Sequence, residues 1–184
     1  ERGGGVSETE YAIGRHCGVT FAGLKVASLV NLHRGEGEVI RRLARGFRRK
    51  GFSFVCLRTE KERQVLYIYN EEELRRLLFS AEVRAFLEGY GYHYETAAEA
   101  VTQLRDRMEG EFPHEIGVFL GYPLCDVRGF IADPCGCLYC GAWKVYRDVA
   151  GARRTFERYK RCSACICRHM QNGRSLAEIF RISD

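Results

Sequence analysis

The run Val65-Leu-Tyr-Ile-Tyr69, apolar at every position, sets the first limit on how this chain folds. A strand points successive side chains to opposite faces, so a run with no polar position implies cover on both. Residues 52–57 form a second β-rich run, and the polar stretch Arg58-Thr-Glu-Lys-Glu-Arg63 between the two fits a hairpin with a longer loop. Ala142-Trp-Lys-Val-Tyr146 reads as a third, short strand. Helical periods dominate elsewhere. Ile40, Leu43, Ala44 and Phe47 give the i, i+3, i+4, i+7 stripe of a helix over about 36–50, which Gly51 stops. Ser7 with Glu10 has the capping-box pattern for a short helix over 7–15. Further helices are predicted over 71–79, 81–89, 96–108, 124–131 and 149–168, with Pro113 opening a short one and Ser175 capping a terminal one. About three strands among many helices predict an α+β fold: a small antiparallel sheet packed with helices, as a single domain over 7–184 behind a frayed end at 1–6.

The charge narrows the partners. The chain carries 29 Lys and Arg against 24 Asp and Glu, a net +5, a milder excess than nucleic-acid binders carry, so nucleic acid is not the expected partner. The densest basic run, Arg41, Arg42, Arg45, Arg48, Arg49 and Lys50, lies opposite the apolar stripe and reads as a solvated helix face. No apolar run approaches the roughly 18–20 residues of a membrane span, and the visible start shows no signal-peptide pattern. A cytoplasmic protein with an unknown small-molecule or protein partner is the expectation.

Cysteine is the most informative residue type. There are nine, an odd number, so one chain cannot pair them all. Without a secretory signal, free thiols, metal ligands or redox thiols are the default. Cys137 and Cys140 form one CxxC and Cys162 and Cys165 another, with Cys135 and Cys167 beside them. Two such knuckles at near this spacing suit zinc or an iron–sulfur cluster. Against that, Cys162 and Cys165 fall within a predicted long helix rather than on a turn, and buried cysteines also serve as small apolar residues.

Cys17 stands apart, next to His16 in a segment with glycines at 18 and 23. Two glycines so close argue for a turn or a close backbone approach. Thr20 and Lys25 would then suit a pocket wall, and a nearby cation would favour the thiolate a nucleophile needs. His114-Glu115 follows Pro113 at a predicted helix start. Glu115 there favours the helix dipole, and His114 could act as a base. Position 118 is Val, which excludes an HExxH zinc motif. A site built from Cys17, His114 and Glu115 requires the two segments to meet in space. Trp143 and Lys144 complete the candidate binding residues.

Taken together, His16-Cys-x-x-Thr-x-Ala-Gly-Leu-Lys25, Phe112-Pro-His-Glu-Ile-Gly-x-Phe-Leu-Gly-Tyr-Pro123, Asp126-Val-x-Gly-Phe-Ile131, Trp143-Lys-Val-Tyr146, Cys162 and Gly173-Arg-Ser-Leu176 resemble a domain-of-unknown-function family of uncharacterised proteins from anaerobic Firmicutes such as clostridia. The resemblance spans nearly the whole chain. It implies a stand-alone cytoplasmic protein of an anaerobe, supplies no reaction, and shifts weight from the cysteine clusters toward Cys17, His114 and Glu115.

Overall fold

The hydroxyl of Ser7 accepts the Glu10 backbone N–H at 3.2 Å and starts α1 (Glu8–Phe21), in a computed structural model that describes residues 5–182. Residues 1–4 of the expected frayed end lie outside that range; Val6 packs on the core. The chain continues as β1 (Ala27–His33), a single 3-10 turn, α2 (Gly37–Arg48), β2 (Phe52–Glu60) and β3 (Arg63–Asn70). Five helices follow: α3 (Glu71–Leu78), α4 (Ala81–Gly89), α5 (Ala97–Arg107), α6 (Ile116–Phe119) and α7 (Leu124–Ala132). Then come β4 (Tyr139–Cys140), β5 (Lys144–Val145), α8 (Val149–Gln171) and α9 (Leu176–Phe180). The fold is α+β, and no helix among the described residues is long and apolar enough to cross a membrane.

The main sheet is antiparallel in the order β1-β3-β2, so the all-apolar strand is the central one. Its alternation divides the interior. Val30, Leu32, Phe52, Leu66 and Ile68 face a cluster with Ile13, Leu43, Phe47, Ile166 and Leu176, from α1, α2, α8 and α9. Ala27, Tyr67 and Tyr69 face the other cluster, built on Leu74, Leu87, Leu104, Phe119 and Val127 from α3 to α7. The three-stranded sheet is thus sandwiched between two helical layers.

Three details depart from the sequence expectations. The third strand of the main sheet is β1, whereas the strand expected at 142–146 shrinks to β5, paired only with β4. The hairpin loop is tight, Lys61-Glu62, with Lys61 in the left-handed region at φ 48°. And α1 runs straight through Cys17 and Gly18 to Phe21; only Gly23, at φ 74°, makes the turn. Gly14 and Gly18 lie one helical turn apart and face α8. A Cβ on Gly18 would sit 2.6 Å from Ile166 Cδ1, and one on Gly14 would meet the Met170 sulfur. Close helix contact, not a turn, is what these glycines allow.

Gly18→Val is expected to lower stability by about 1–3 kcal/mol through overpacking against Ile166, with Ile166→Ala restoring part of it in the double variant. Urea denaturation of the two single variants and the double variant measures this. Additive losses would show that the two positions are not in contact.

Candidate functional site

The polypeptide after α5 builds a cavity from short pieces. The Ile116 N–H donates to the Pro113 carbonyl at 3.2 Å and begins α6, and Gly121, at φ 76°, reverses the chain into Pro123 and α7. β5 then crosses α7. The ring of Tyr146 packs where a Cβ on Gly129 would be, so glycine at that position permits the crossing. Between these pieces lies a cavity of about 280 Å³. Phe112, Pro113 and His114 form one lip. Ile116, Gly117, Leu120 and Val127 form the floor, and Tyr122, Phe130 and Trp143 the aromatic walls. Lys144 and Asp126 complete the lining.

Asp126 organises the far wall. Its carboxylate is buried and accepts from Trp143 Nε1 at 2.8 Å, from the Tyr146 backbone N–H at 2.8 Å and, at 3.9 Å, from the Cys125 thiol. The indole is held further by stacking on Tyr122, ring centroids 5.1 Å apart, and by an edge contact with Phe156 at 4.5 Å. Lys144 Nζ donates to the Pro134 carbonyl at 2.6 Å and lies 5.4 Å from the centre of the Phe130 ring. The His114 ring meets Phe130 edge-on at 5.3 Å. With Asp126 committed, the polar groups left for a ligand are the exposed His114 imidazole and the remaining donors of Lys144.

The structure therefore brings His114, Trp143 and Lys144 together, and it separates them from Cys17. Cys17 is fully buried in the cluster of α1, α2, α8 and α9, on the opposite face of the sheet from α6. Burial pushes its thiol up to about 12, and the Lys25 ammonium pulls back only in part. The thiol–imidazole–carboxylate arrangement is not assembled. Glu115 is turned inward: it accepts from the Tyr92 hydroxyl at 3.1 Å and faces the Arg107 guanidinium at 3.7 Å, which itself lies over the Tyr92 ring. Its position secures α5 and the segment before it to α6. His16 is on the surface of α1, and Thr20 is spent on a buried hydrogen bond with Ser28 at 2.8 Å. Lys25, half-buried, reaches over the Tyr122 ring behind the cavity wall, at 5.4 Å; burial lowers its ammonium to about 8.

All nine cysteines are free thiols. Cys137 and Cys140 flank the start of β4, and Cys162 and Cys165 lie a turn apart on α8. Among the described residues no group of three or more His, Cys, Asp or Glu side chains is placed to hold a metal ion, so the donor set expected for zinc or an iron–sulfur cluster does not converge. Sequence reasoning passed over Asp126, Tyr122 and Phe130 as site residues. The one signal for Asp126 is a lone acid in an apolar stretch, 17 residues before the indole it holds.

Two outcomes check this geometry. Asp126→Leu leaves the Trp143 and Tyr146 donors without a partner and should cost about 1–3 kcal/mol, with Asp126→Asn, which keeps one acceptor oxygen, intermediate; denaturation followed by Trp143 emission reads both. For Cys17, the folded thiol ionises at about 12 against an ordinary 9.0, so its contribution is complete below pH 9 and is lost as pH rises toward 12. The stability gap between the parent and Cys17→Ala should therefore shrink across that window, and iodoacetamide should leave native Cys17 unmodified while labelling the exposed Cys56, Cys125 and Cys165. Rapid labelling of Cys17 in the folded protein would contradict its burial.

No curated protein and no solved structure matches the chain. One family model does, over residues 13–180, from α1 to the end of α9, and it takes in every element that builds the cavity. The chain belongs to DUF3793, a family of proteins of unknown function.

Proposed function

We propose that the chain is a small-molecule-binding protein whose ligand is an apolar, ring-bearing carboxylate held in the cavity of α6, α7 and β5. The observation that carries this reading is the cavity's composition. Aromatic and aliphatic side chains line nearly all of it, and its one carboxylate is occupied by internal hydrogen bonds. Its unspent polar groups are an ammonium and an imidazole flanking one ring, Phe130. Binding sites commonly combine such apolar walls with a few convergent polar groups, and at about 280 Å³ the space is near the lower end of the usual range of roughly 300–1,000 Å³. Stacking against Trp143, Tyr122 and Phe130 favours a flat ring, and Lys144 favours an anionic acceptor. His114, Trp143 and Lys144 are the binding residues in this reading. Catalysis through Cys17 draws no support, because a thiol so far from ionising and so deeply enclosed offers neither a nucleophile nor access.

Trp143 is the sole tryptophan, so its emission reports directly on the cavity. 3-Phenylpropionate should quench it saturably with a Kd below about 1 mM, and Lys144→Met should weaken that binding about tenfold. The uncharged 3-phenylpropionamide should bind more weakly and be indifferent to Lys144→Met. Absence of saturable quenching by either compound, together with unchanged thermal stability, would refute the proposal.

A further inference from the structure

Positive charge on the folded chain does not lie where its density along the sequence places it. The basic side chains of α2 are largely answered. Arg41 and Arg45 face Glu38 at 2.8 and 3.6 Å, Arg42 pairs with the buried Glu10 at 2.9 Å, and Lys50, just beyond the helix, donates to the Phe180 carbonyl at 2.6 Å. α8 is different. It carries Arg153, Arg154, Arg158, Lys160, Arg161 and Arg168 against the single acid Glu157, and among the described residues none of these forms an ion pair.

Two of these arginines face a concavity. A groove of about 560 Å³ runs between the first turns of α8 and the segment 121–126, and Arg154 and Arg158 line it. Placed at i and i+4, they project from one face with Cβ atoms roughly 5–6 Å apart. The acids of the groove are already engaged: Asp126 holds Trp143 and Tyr146, and Asp148 caps α8 by accepting the Gly151 N–H at 2.8 Å. Tyr159 stands on the same wall, a phenol that is a donor at neutral pH and that burial pushes further up.

We propose that this groove is an anion site that takes the phosphate group of a small phosphorylated molecule, gripped by the guanidinium forks of Arg154 and Arg158. A carboxylate carries a single charge on two coplanar oxygens. A terminal phosphate offers three oxygens in a tetrahedron, enough for two forks arriving from neighbouring positions. The groove shares only Asp126 and Trp143 with the apolar cavity and includes no side chain of α6, so this site stands independently of the ligand proposed there.

Calorimetric titration with inorganic pyrophosphate and with glycerol 3-phosphate, which has no ring for the apolar cavity, at low ionic strength tests it. Both should bind, and Arg154→Gln and Arg158→Gln should each weaken binding by at least about tenfold, while Arg45→Gln leaves it unchanged. Both arginines are exposed, so circular dichroism of the two groove variants should match the parent. Absence of binding by either compound would overturn the proposal, as would equal weakening by Arg45→Gln, which marks diffuse attraction. So would binding of a single-stranded oligonucleotide, lost in the same groove variants, with none of the small phosphates.

Discussion

The hydroxyl of Tyr67 donates to the Phe119 carbonyl at 2.6 Å, and both residues are fully buried. Tyr67 lies on the central strand, and burial drives its phenol well above the ordinary range, so it remains a donor. A buried hydroxyl without a partner costs free energy, and so does a buried carbonyl, so this bond fixes where α6 can sit against the sheet. α6 is only Ile116–Phe119, too short to persist as an isolated helix. Its position is dictated by Tyr67 on one side and by the packing of Phe119 against Tyr92 on the other. Because Ile116 and Gly117 form the floor of the cavity, the sheet sets the depth of the candidate site.

Two buried carboxylates then fix its edges. Glu115, held by the Tyr92 hydroxyl and the Arg107 guanidinium, secures the segment carrying His114. Asp126, held by Trp143 and Tyr146, draws β5 across α7. Each carboxylate is satisfied by side chains or backbone from other elements, as a buried charge requires. The consequence for chemistry is subtractive. Negative charge near the cavity is spent on structure, and the groups left facing open space are the imidazole of His114 and the ammonium of Lys144.

The sequence made most helices readable because their apolar residues recur at helical spacing and some of their caps are local, as at Ser7 and Ser175. β1 escaped because its alternation is disguised. Ser28 is polar yet points inward, where the Thr20 hydroxyl satisfies it, and a buried serine breaks the apolar-in rule by which a strand is recognised. Gly18 misled for a related reason. Glycine in a helix and glycine in a turn look alike until the partner, here Ile166 on a helix far along the chain, is in place. At the site, His114, Trp143 and Lys144 were legible as polar or aromatic residues within compact apolar motifs. Asp126 was not, because its role depends on non-local donors. Cys17 drew attention through its neighbours in sequence, yet helical geometry turns it into the core while His16 stays at the surface.

Charge teaches the same lesson about distance. Arg42 meets Glu10 across 32 positions of sequence, and the same carboxylate accepts the Leu176 N–H at 2.7 Å, joining α1, α2 and the start of α9 through one buried acid. That junction converts part of the most basic stretch of the chain into scaffold. α8 packs against α1 through the Gly14 and Gly18 face, which places Ile166 and Met170 inside and leaves its arginines outward, none of them in an ion pair among the described residues. Of the two basic helices, the one whose charges have structural partners comes from the denser run. The one whose charges remain open lies beside Trp143 and the cavity. A field of that kind attracts anions to this side of the molecule by long-range steering before any contact forms, and it weakens as salt rises.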